Sequence, residues 1–518
     1  MGTKENETSC IHGGKKIAVL FTVGILFVLA GFTCYPLIDS LIQNKINAQL
    51  VLTPTSDSLK EWKSPDVPIY LQFFIFNVEN AYEAKEGGTP VVSQKGPYSY
   101  REHRIKENIS WENENSTVTY NEKQSFVFDV ATSCNNCDPF RDSVVTLNIP
   151  LVTLANLIKN IPDTLDWKEN FVKYLLKDFK ENFFQKRTVQ ELLWGYPDPF
   201  LQEYSKLRKT WPFRDFNLPE INPIIALQQN NTYQGVTTVY TGAKDISMLQ
   251  KWKVWEGKTN AGVWNTSYAN LFNGSDGAQF PPQQTTDSTL YVFVTQLCRS
   301  LFLTYDKPSK VHGIDTLSFT VPEKTFLNAT LNPDNAAYCT RKCFPTGIMD
   351  IGVCRKAPMP LPLFVSAPHF YLGDKSLTQN VHGLSPNKKD HGTILEIETH
   401  VGISLKSAKR LQINVLIGPV EHLDDTEHLH SLFLPIMYIN ETSTIGDSQA
   451  KLLKDKVLAP IQIAHYIELA MVILGGVLFV VALILLVLLI RRNRKLKKIK
   501  SMLAPSVPSE RSPLLVSS

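Results

Sequence analysis

The chain has 518 residues, 43% of them hydrophobic and 20% charged, with a formal net charge of +4. So small a net charge excludes nucleic-acid binding driven by bulk charge, and the length allows several ordinary domains or one large β-rich unit. The charge is uneven: residues 491–518 carry eight Lys or Arg against one acidic group, leaving the rest slightly acidic.

The first element is an uncharged run from Ile17 to Ile38, long enough as a helix to cross a hydrocarbon core of about 30 Å. Lys15 and Lys16 precede it. A cleaved signal peptide is the alternative, but the apolar stretch exceeds the usual length and no small-x-small cleavage site follows. Next, YLQFFIFNV (70–78) is almost continuously apolar and aromatic, as in a strand buried on both faces. Between 166 and 184, Trp167, Phe171, Tyr174, Leu175, Phe179 and Phe183 recur every three or four residues, and Asp166 with Glu169 forms a capping-box pattern. This spacing predicts a helix whose other side carries Lys168, Lys173, Lys177 and Lys180. That side is either a solvated basic face or a platform for anionic ligands.

LYVFVTQL (290–297) and LSFTVP (317–322) read as short strands. Leu411, Ile413, Val415 and Ile417 alternate with Gln412 and Asn414 as a half-buried strand. A second uncharged run, Leu469 to Ile490, is followed at once by Arg491, Arg492, Arg494, Lys495, Lys497, Lys498 and Lys500. Basic flanks stay cytoplasmic, so both termini are expected inside. The expected organisation is an N-terminal tail (1–16), a first span (17–38), a luminal or extracellular domain (39–465), a second span (466–490) and a C-terminal tail (491–518).

Glycosylation sequons between the spans begin at Asn108, Asn115, Asn230, Asn265, Asn273, Asn328 and Asn440. Cys134, Cys137, Cys298, Cys339, Cys343 and Cys354 lie in the same exposed segment, where an oxidising compartment favours bridges. Zinc is the alternative for the four between 298 and 354, although their spacing fits no ordinary zinc motif. Cys134-Asn-Asn-Cys137 is either a redox CxxC or a small structural loop. Cys10 is a candidate acylation site beside the first span. No GxSxG, HExxH or phosphate-cradling Gly-rich loop is present, so no enzyme, cofactor or metal is expected. His369 (in APHF) and His391 (in KDHG) read as hydrogen-bonded structural residues.

Several motifs together resemble the class B scavenger receptor family, which includes a fatty-acid translocase and a lysosomal integral membrane protein. They are VPIYLQFFIFNVEN (67–80), KGPYSYRE (95–102), RTVQELLWGYPDPF (187–200), FNGSDGAQFPP (272–282), LCRS (297–300), APHFY (367–371), AKRLQINVLI (408–417) and LPIMYINET (434–442). The resemblance implies a mainly β ectodomain with some α: an antiparallel β-barrel core, an apical helical bundle and an internal hydrophobic tunnel, held by two transmembrane helices. It implies that the 166–184 helix lies in the apical bundle, with Lys177, Lys180, Phe171 and Tyr174 as ligand-binding candidates. Lys180 falls near a family ligand-binding lysine, whereas its neighbour is Asp178 here. By the family pattern Cys298 pairs with Cys354 and Cys339 with Cys343, and Ala269 stands where relatives often have Cys. Cys134 and Cys137 match no family cysteine and are left to pair with each other.

The implied partners are fatty acids, cholesterol, phospholipids and lipoproteins; the function is passage of lipid through the tunnel to the membrane. The alternative is a sorting receptor for a soluble lysosomal hydrolase such as β-glucocerebrosidase. Glu510, Leu514 and Leu515 form an acidic dileucine pattern, whose two leucines fit an apolar pocket on a clathrin adaptor. The tail is similar to that of the lysosomal member, which implies lysosomal or late endosomal membranes with a plasma-membrane pool. Homo-oligomerisation is left open.

Overall fold

The computed structural model describes residues 2–153, 182–210, 214, 220–340, 342–354, 362–419 and 426–503. They fall into two units: Asn47–Lys451, and a second unit whose described residues, 2–46 and 452–503, are helical.

The larger unit is built on strands. β1 (Ile69–Val78), β2 (Val92–Glu112) and β3 (Thr117–Phe128) open it, followed by the short β4 (Ser143–Leu147), β5 (Phe184–Thr188), β6 (Tyr196–Pro197) and β7 (Ile224–Ile225). β8 (Thr232–Tyr240), β9 (Trp252–Trp255), β10 (Thr289–Val294), β11 (Arg299–Val311) and β12 (Ile314–Thr320) come next. β13 (Met349–Asp350), β14 (Leu363–Ser366), β15 (Ile394–Ile397), β16 (Ser404–Ile417) and β17 (Leu432–Thr444) complete the set. Thirteen of them form one sheet whose main path runs β10-β11-β12-β15-β16-β17-β1-β2-β3-β8-β9, with β13 and β14 branching from β16. All named pairings are antiparallel.

The sheet curls until its two end strands nearly meet. The segment Gly274–Ser275 fills the gap: Trp252 N on β9 donates to Gly274 O at 2.9 Å, and Phe293 N on β10 donates to Ser275 O at 3.0 Å. Trp252 and Phe293 then pack at 5.2 Å between ring centroids. Gly274 has φ of +83°, and a Cβ there would stand 1.7 Å from Tyr291 O, so glycine alone fits.

Within this barrel, side chains alternate between enclosed and outer faces. Leu71, Phe73 and Ile75 of β1 share the enclosed face with Tyr98, Tyr100, Phe126 and Met437. Against them the helix Val189–Trp194 lays Val189, Leu192 and Leu193. That helix starts where Thr188 and Glu191 make a reciprocal capping box, the Thr188 hydroxyl accepting from Glu191 N. Farther along, Phe280, Leu290, Val292, Leu303, Phe319, Leu395 and Ile397 form a second apolar cluster.

Expected strands at 70–78, 290–297, 317–322 and 411–417 correspond to β1, β10, β12 and part of β16, with β10 ending earlier, at Val294. The C-terminal end of the expected 166–184 helix is corrected: Phe184 begins β5 opposite Leu147, and Asn148 N donates to Phe183 O at 2.8 Å. Phe183, which fits the helical spacing, is buried just before the strand, and the rest of the expected helix, 166–181, lies outside the described residues.

In the helical unit, helices Gly2–Leu50 and Ala459–Leu503 contain the two stretches apolar enough to span a membrane. The helices extend beyond the expected spans 17–38 and 466–490. They cross at glycines: a Cβ on Gly24 would stand 3.0 Å from Gly475 O, and one on Gly31 would stand 2.6 Å from Val472 Cγ2. Phe21 and Phe479 meet edge to face at 4.6 Å beside the crossing.

Gly274→Ala is expected to lower stability by well over about 1 kcal/mol, because the new Cβ strikes backbone rather than a movable side chain. Urea unfolding of the full-length protein in detergent measures it; an unchanged midpoint would show that the gap between β9 and β10 is bridged in another way.

Candidate ligand-binding site

The enclosed face is not uniformly apolar. Glu102, Arg104 and Lys106 occupy alternate positions of β2, on the same face as Tyr100. Arg104 Nε donates to Glu102 Oε1 at 2.6 Å, and its Nη2 reaches past β1 to Glu441 Oε2 on β17 at 3.1 Å. Glu441 also holds Lys409 of β16 at 3.0 Å, and Lys106 pairs with Glu122 of β3 at 3.0 Å. Lys409 Nζ donates further to Asp276 O at 2.8 Å, beside the closing segment. Three cations and three carboxylates thus form a strut across neighbouring strands. A cavity of about 120 Å³ adjoins it, lined also by Gln124, Gln234, Thr237, Thr295 and Gln296.

Burial pushes the Glu441 carboxyl up, but Arg104 and Lys409 outweigh it and hold the group down, to about 2. Burial likewise raises Glu122, and Lys106 with Arg104 reverses this, leaving it below the usual carboxylate range. For Glu102 burial prevails over Arg104 and the carboxyl is raised. The strut therefore contains two firmly ionised acids and one that takes up a proton more readily.

A second cavity, of about 400 Å³, lies against the opposite face of the sheet and is lined by Phe74, Gln94, His369, His391, Arg410 and Tyr438 among others. His369 and His391 are buried and stack at 4.3 Å. Ser385 N donates to His369 Nδ1 at 3.1 Å, and Asn387 N donates to His391 Nδ1 at 3.0 Å. With Nδ1 spent as an acceptor, the His369 proton sits on Nε2, which donates to Gln94 Oε1 at 2.6 Å. A second proton would have to displace the Ser385 N–H. Burial, with the neighbouring His391, depresses His369 to about 4. Burial also depresses His391, with Asp390 opposing this and Arg410 adding to it.

The CD36 family model matches residues 22–486, through both apolar helices and the barrel between them. The chain belongs to the CD36 family. It is 31% identical over 481 residues to Lysosome membrane protein 2 of Homo sapiens, covering 91% of this chain and 94% of that protein. It is 32% identical over 470 residues to Scavenger receptor class B member 1 of Mus musculus, covering 90% of this chain and 88% of that protein.

The resemblance read from the motifs is thus the family to which the chain belongs. The apical-helix candidates Lys177, Lys180, Phe171 and Tyr174, and the tail residues Glu510, Leu514 and Leu515, lie outside the described residues. Cys10 lies on the first helix. Disulfides join Cys298 to Cys354, Cys339 to Cys343 and Cys134 to Cys137. Of the sequon asparagines, Asn108, Asn115, Asn230 and Asn265 are exposed, and Asn273 and Asn328 are half-buried. Asn440 is buried in the wall of the histidine cavity and donates to Gln72 Oε1 at 2.8 Å. Sequence reading missed the ionic strut. Its trace in YREHRIK is the charge at every second position, Glu102, Arg104 and Lys106, but alternation does not tell which face is enclosed.

Because His369 is depressed to about 4 in the fold and titrates near 6.5 when unfolded, the unfolded chain binds more protons between those values. Stability contributed by the neutral ring is complete above about pH 6.5 and falls as pH drops toward 4, by roughly 2 kcal/mol at pH 5. The drop in melting temperature from pH 7 to pH 5 should therefore be smaller in His369→Asn than in the unsubstituted protein. Equal drops would remove His369 as the cause.

Proposed function

We propose that this CD36-family membrane protein binds lipids and lipoproteins with its barrel unit and passes lipid through the barrel to the bilayer. Residence in lysosomes and late endosomes, with a plasma-membrane pool and both termini cytoplasmic, is part of the same reading. One observation carries it: a sheet nearly closed into a barrel, its gap bridged by Gly274 and Ser275, whose enclosed face bears apolar clusters on either side of the ionic strut. Such an interior offers acyl chains apolar surface away from water. Similarity to a protein named as a scavenger receptor and to one named as a lysosome membrane protein supports the chemistry and the compartment. The sorting of a soluble hydrolase such as β-glucocerebrosidase is the second reading, favoured by the likeness to Lysosome membrane protein 2.

The transfer reading is tested by filling the interior. Thr237 is buried beside the strut cavity, so Thr237→Trp should reduce uptake of a fluorescent fatty acid or cholesterol several-fold at equal surface expression. Unchanged uptake by a variant folded as judged by its melting temperature would sink transfer through the barrel. If instead immobilised protein retains the hydrolase from lysosomal extract at neutral and acidic pH while lipid uptake is absent, the sorting reading replaces it.

The compartment is tested in the tail. Leu514→Ala with Leu515→Ala should shift the protein from lysosomes to the cell surface, scored by surface biotinylation. An unaltered distribution would mean that another signal sorts it.

A further inference from the structure

We propose that the small cavity beside Arg299 is a binding site for a monovalent anion of halide size. Arg299 opens β11 directly after Cys298, and only 5% of its surface is exposed. A guanidinium stays charged at any pH the protein meets, so its burial calls for a compensating negative charge.

The protein supplies only neutral groups. Nη2 donates to Thr325 O at 3.1 Å and Asn335 Oδ1 at 3.4 Å, and Nη1 meets Met349 Sδ at 3.4 Å. The guanidinium carbon lies 3.5 Å from the Tyr338 ring centroid and 5.7 Å from that of Phe326. Among the described residues no carboxylate pairs with Arg299, and its Nε–H has no acceptor. Asp350, the acid in the cavity wall, accepts instead from Gly352 N at 2.8 Å.

Two unspent donors belong to residues of this cavity wall. Arg299 Nε and Thr325 Oγ1 are both buried without a partner, and both residues line the same cavity of about 40 Å³. A water needs roughly 10–15 Å³ of such volume; this cavity takes a monatomic anion with a water and is far too small for a lipid headgroup. Water alone would satisfy the donors and leave the charge uncompensated. A halide does both. Lys342, in the same wall and placed 5.1 Å from the Phe344 ring centroid, adds positive potential at the outer side. The anion would fasten β11 to the segments 325–328 and 335–339, which end at the Cys339–Cys343 bridge.

The test uses the full-length protein in detergent, melted in sodium chloride, sodium bromide and sodium gluconate at matched ionic strength. Chloride and bromide should raise the midpoint saturably by about 2–4 °C over gluconate. Bromide-soaked crystals should show an anomalous peak at hydrogen-bond distance from Arg299 Nε. Arg299→Gln should lose the halide response; should it fail to fold, Thr325→Val retains the charge and should shift the halide midpoint several-fold upward. Lys342→Gln should respond at a somewhat higher halide concentration. Identical melting in the three salts together with no bromide peak would overturn the proposal and leave Arg299 as a guanidinium held by ring stacking, carbonyl oxygens and the Met349 sulfur.

Discussion

A curled sheet ends in two strands whose outward N–H and C=O groups must find partners. Here the partners come from the backbone of Gly274 and Ser275, wedged between Trp252 of β9 and Phe293 of β10. Everything enclosed depends on that bridge, since without it the charged and aromatic positions of β2, β3 and β10 would face water. The aromatic rings of Trp252, Trp255, Phe272 and Phe293 and the bridge of Cys298 to Cys354 pack at the closure. This disulfide spans a sequence separation of 56, and loop-closure entropy puts its contribution on the order of 4 kcal/mol. Small residues and covalent strength are concentrated where the sheet would otherwise open.

The ionic strut makes sense as a boundary more than as a source of stability. Buried ion pairs roughly break even against apolar side chains of similar volume, whereas loss of one partner costs about 3–5 kcal/mol. Arg104 serves both Glu102 and Glu441, so its removal would leave Glu102 without a cation and Glu441 with Lys409 alone. What the strut does is interrupt the enclosed apolar surface between the Phe73 cluster and the Phe319 cluster. Lipid moving through the interior, on the reading proposed above, has to pass this layer, and an acyl chain gains nothing from contact with it. Passage would then require the side chains of Arg104 and Lys409 to swing aside as a set, because the two share Glu441.

Sequence periodicity reached the strands that carry the barrel but not the way they close. β1 was legible because its residues are apolar on both faces, and β16 because Leu411, Ile413 and Val415 alternate with polar neighbours. Glu102, Arg104 and Lys106 read equally well as a solvated strand edge; only the pairing of β17 with β1 and β1 with β2 turns them inward. The stacked histidines lie 22 positions apart, and Arg299 and Thr325 lie 26 apart, so no local pattern could bring either pair together. The motifs containing them were recognisable as sequence, while the reason for Gly274, an approach to Tyr291 O that admits no Cβ, is a contact between segments.

The two anchors follow the same logic of close approach in a different solvent. In hydrocarbon, apolar side chains gain nothing by leaving lipid for one another, so helix pairing rests on dispersion contact, and small residues allow the most of it. Gly24, Gly31 and Gly475 let the helix backbones come nearer than any side chain would permit, with Phe21 and Phe479 filling the flank. Within the barrel unit, Ile69 at the start of β1 pairs with Ser443 near the end of β17, so the first and last strands are neighbours. Each unit by itself therefore holds its two chain ends together. Glycine contact pairs the two anchors in the helical unit, strand pairing joins the first and last strands in the barrel unit, and bulk introduced at Gly475 would weaken the first constraint while leaving the second intact.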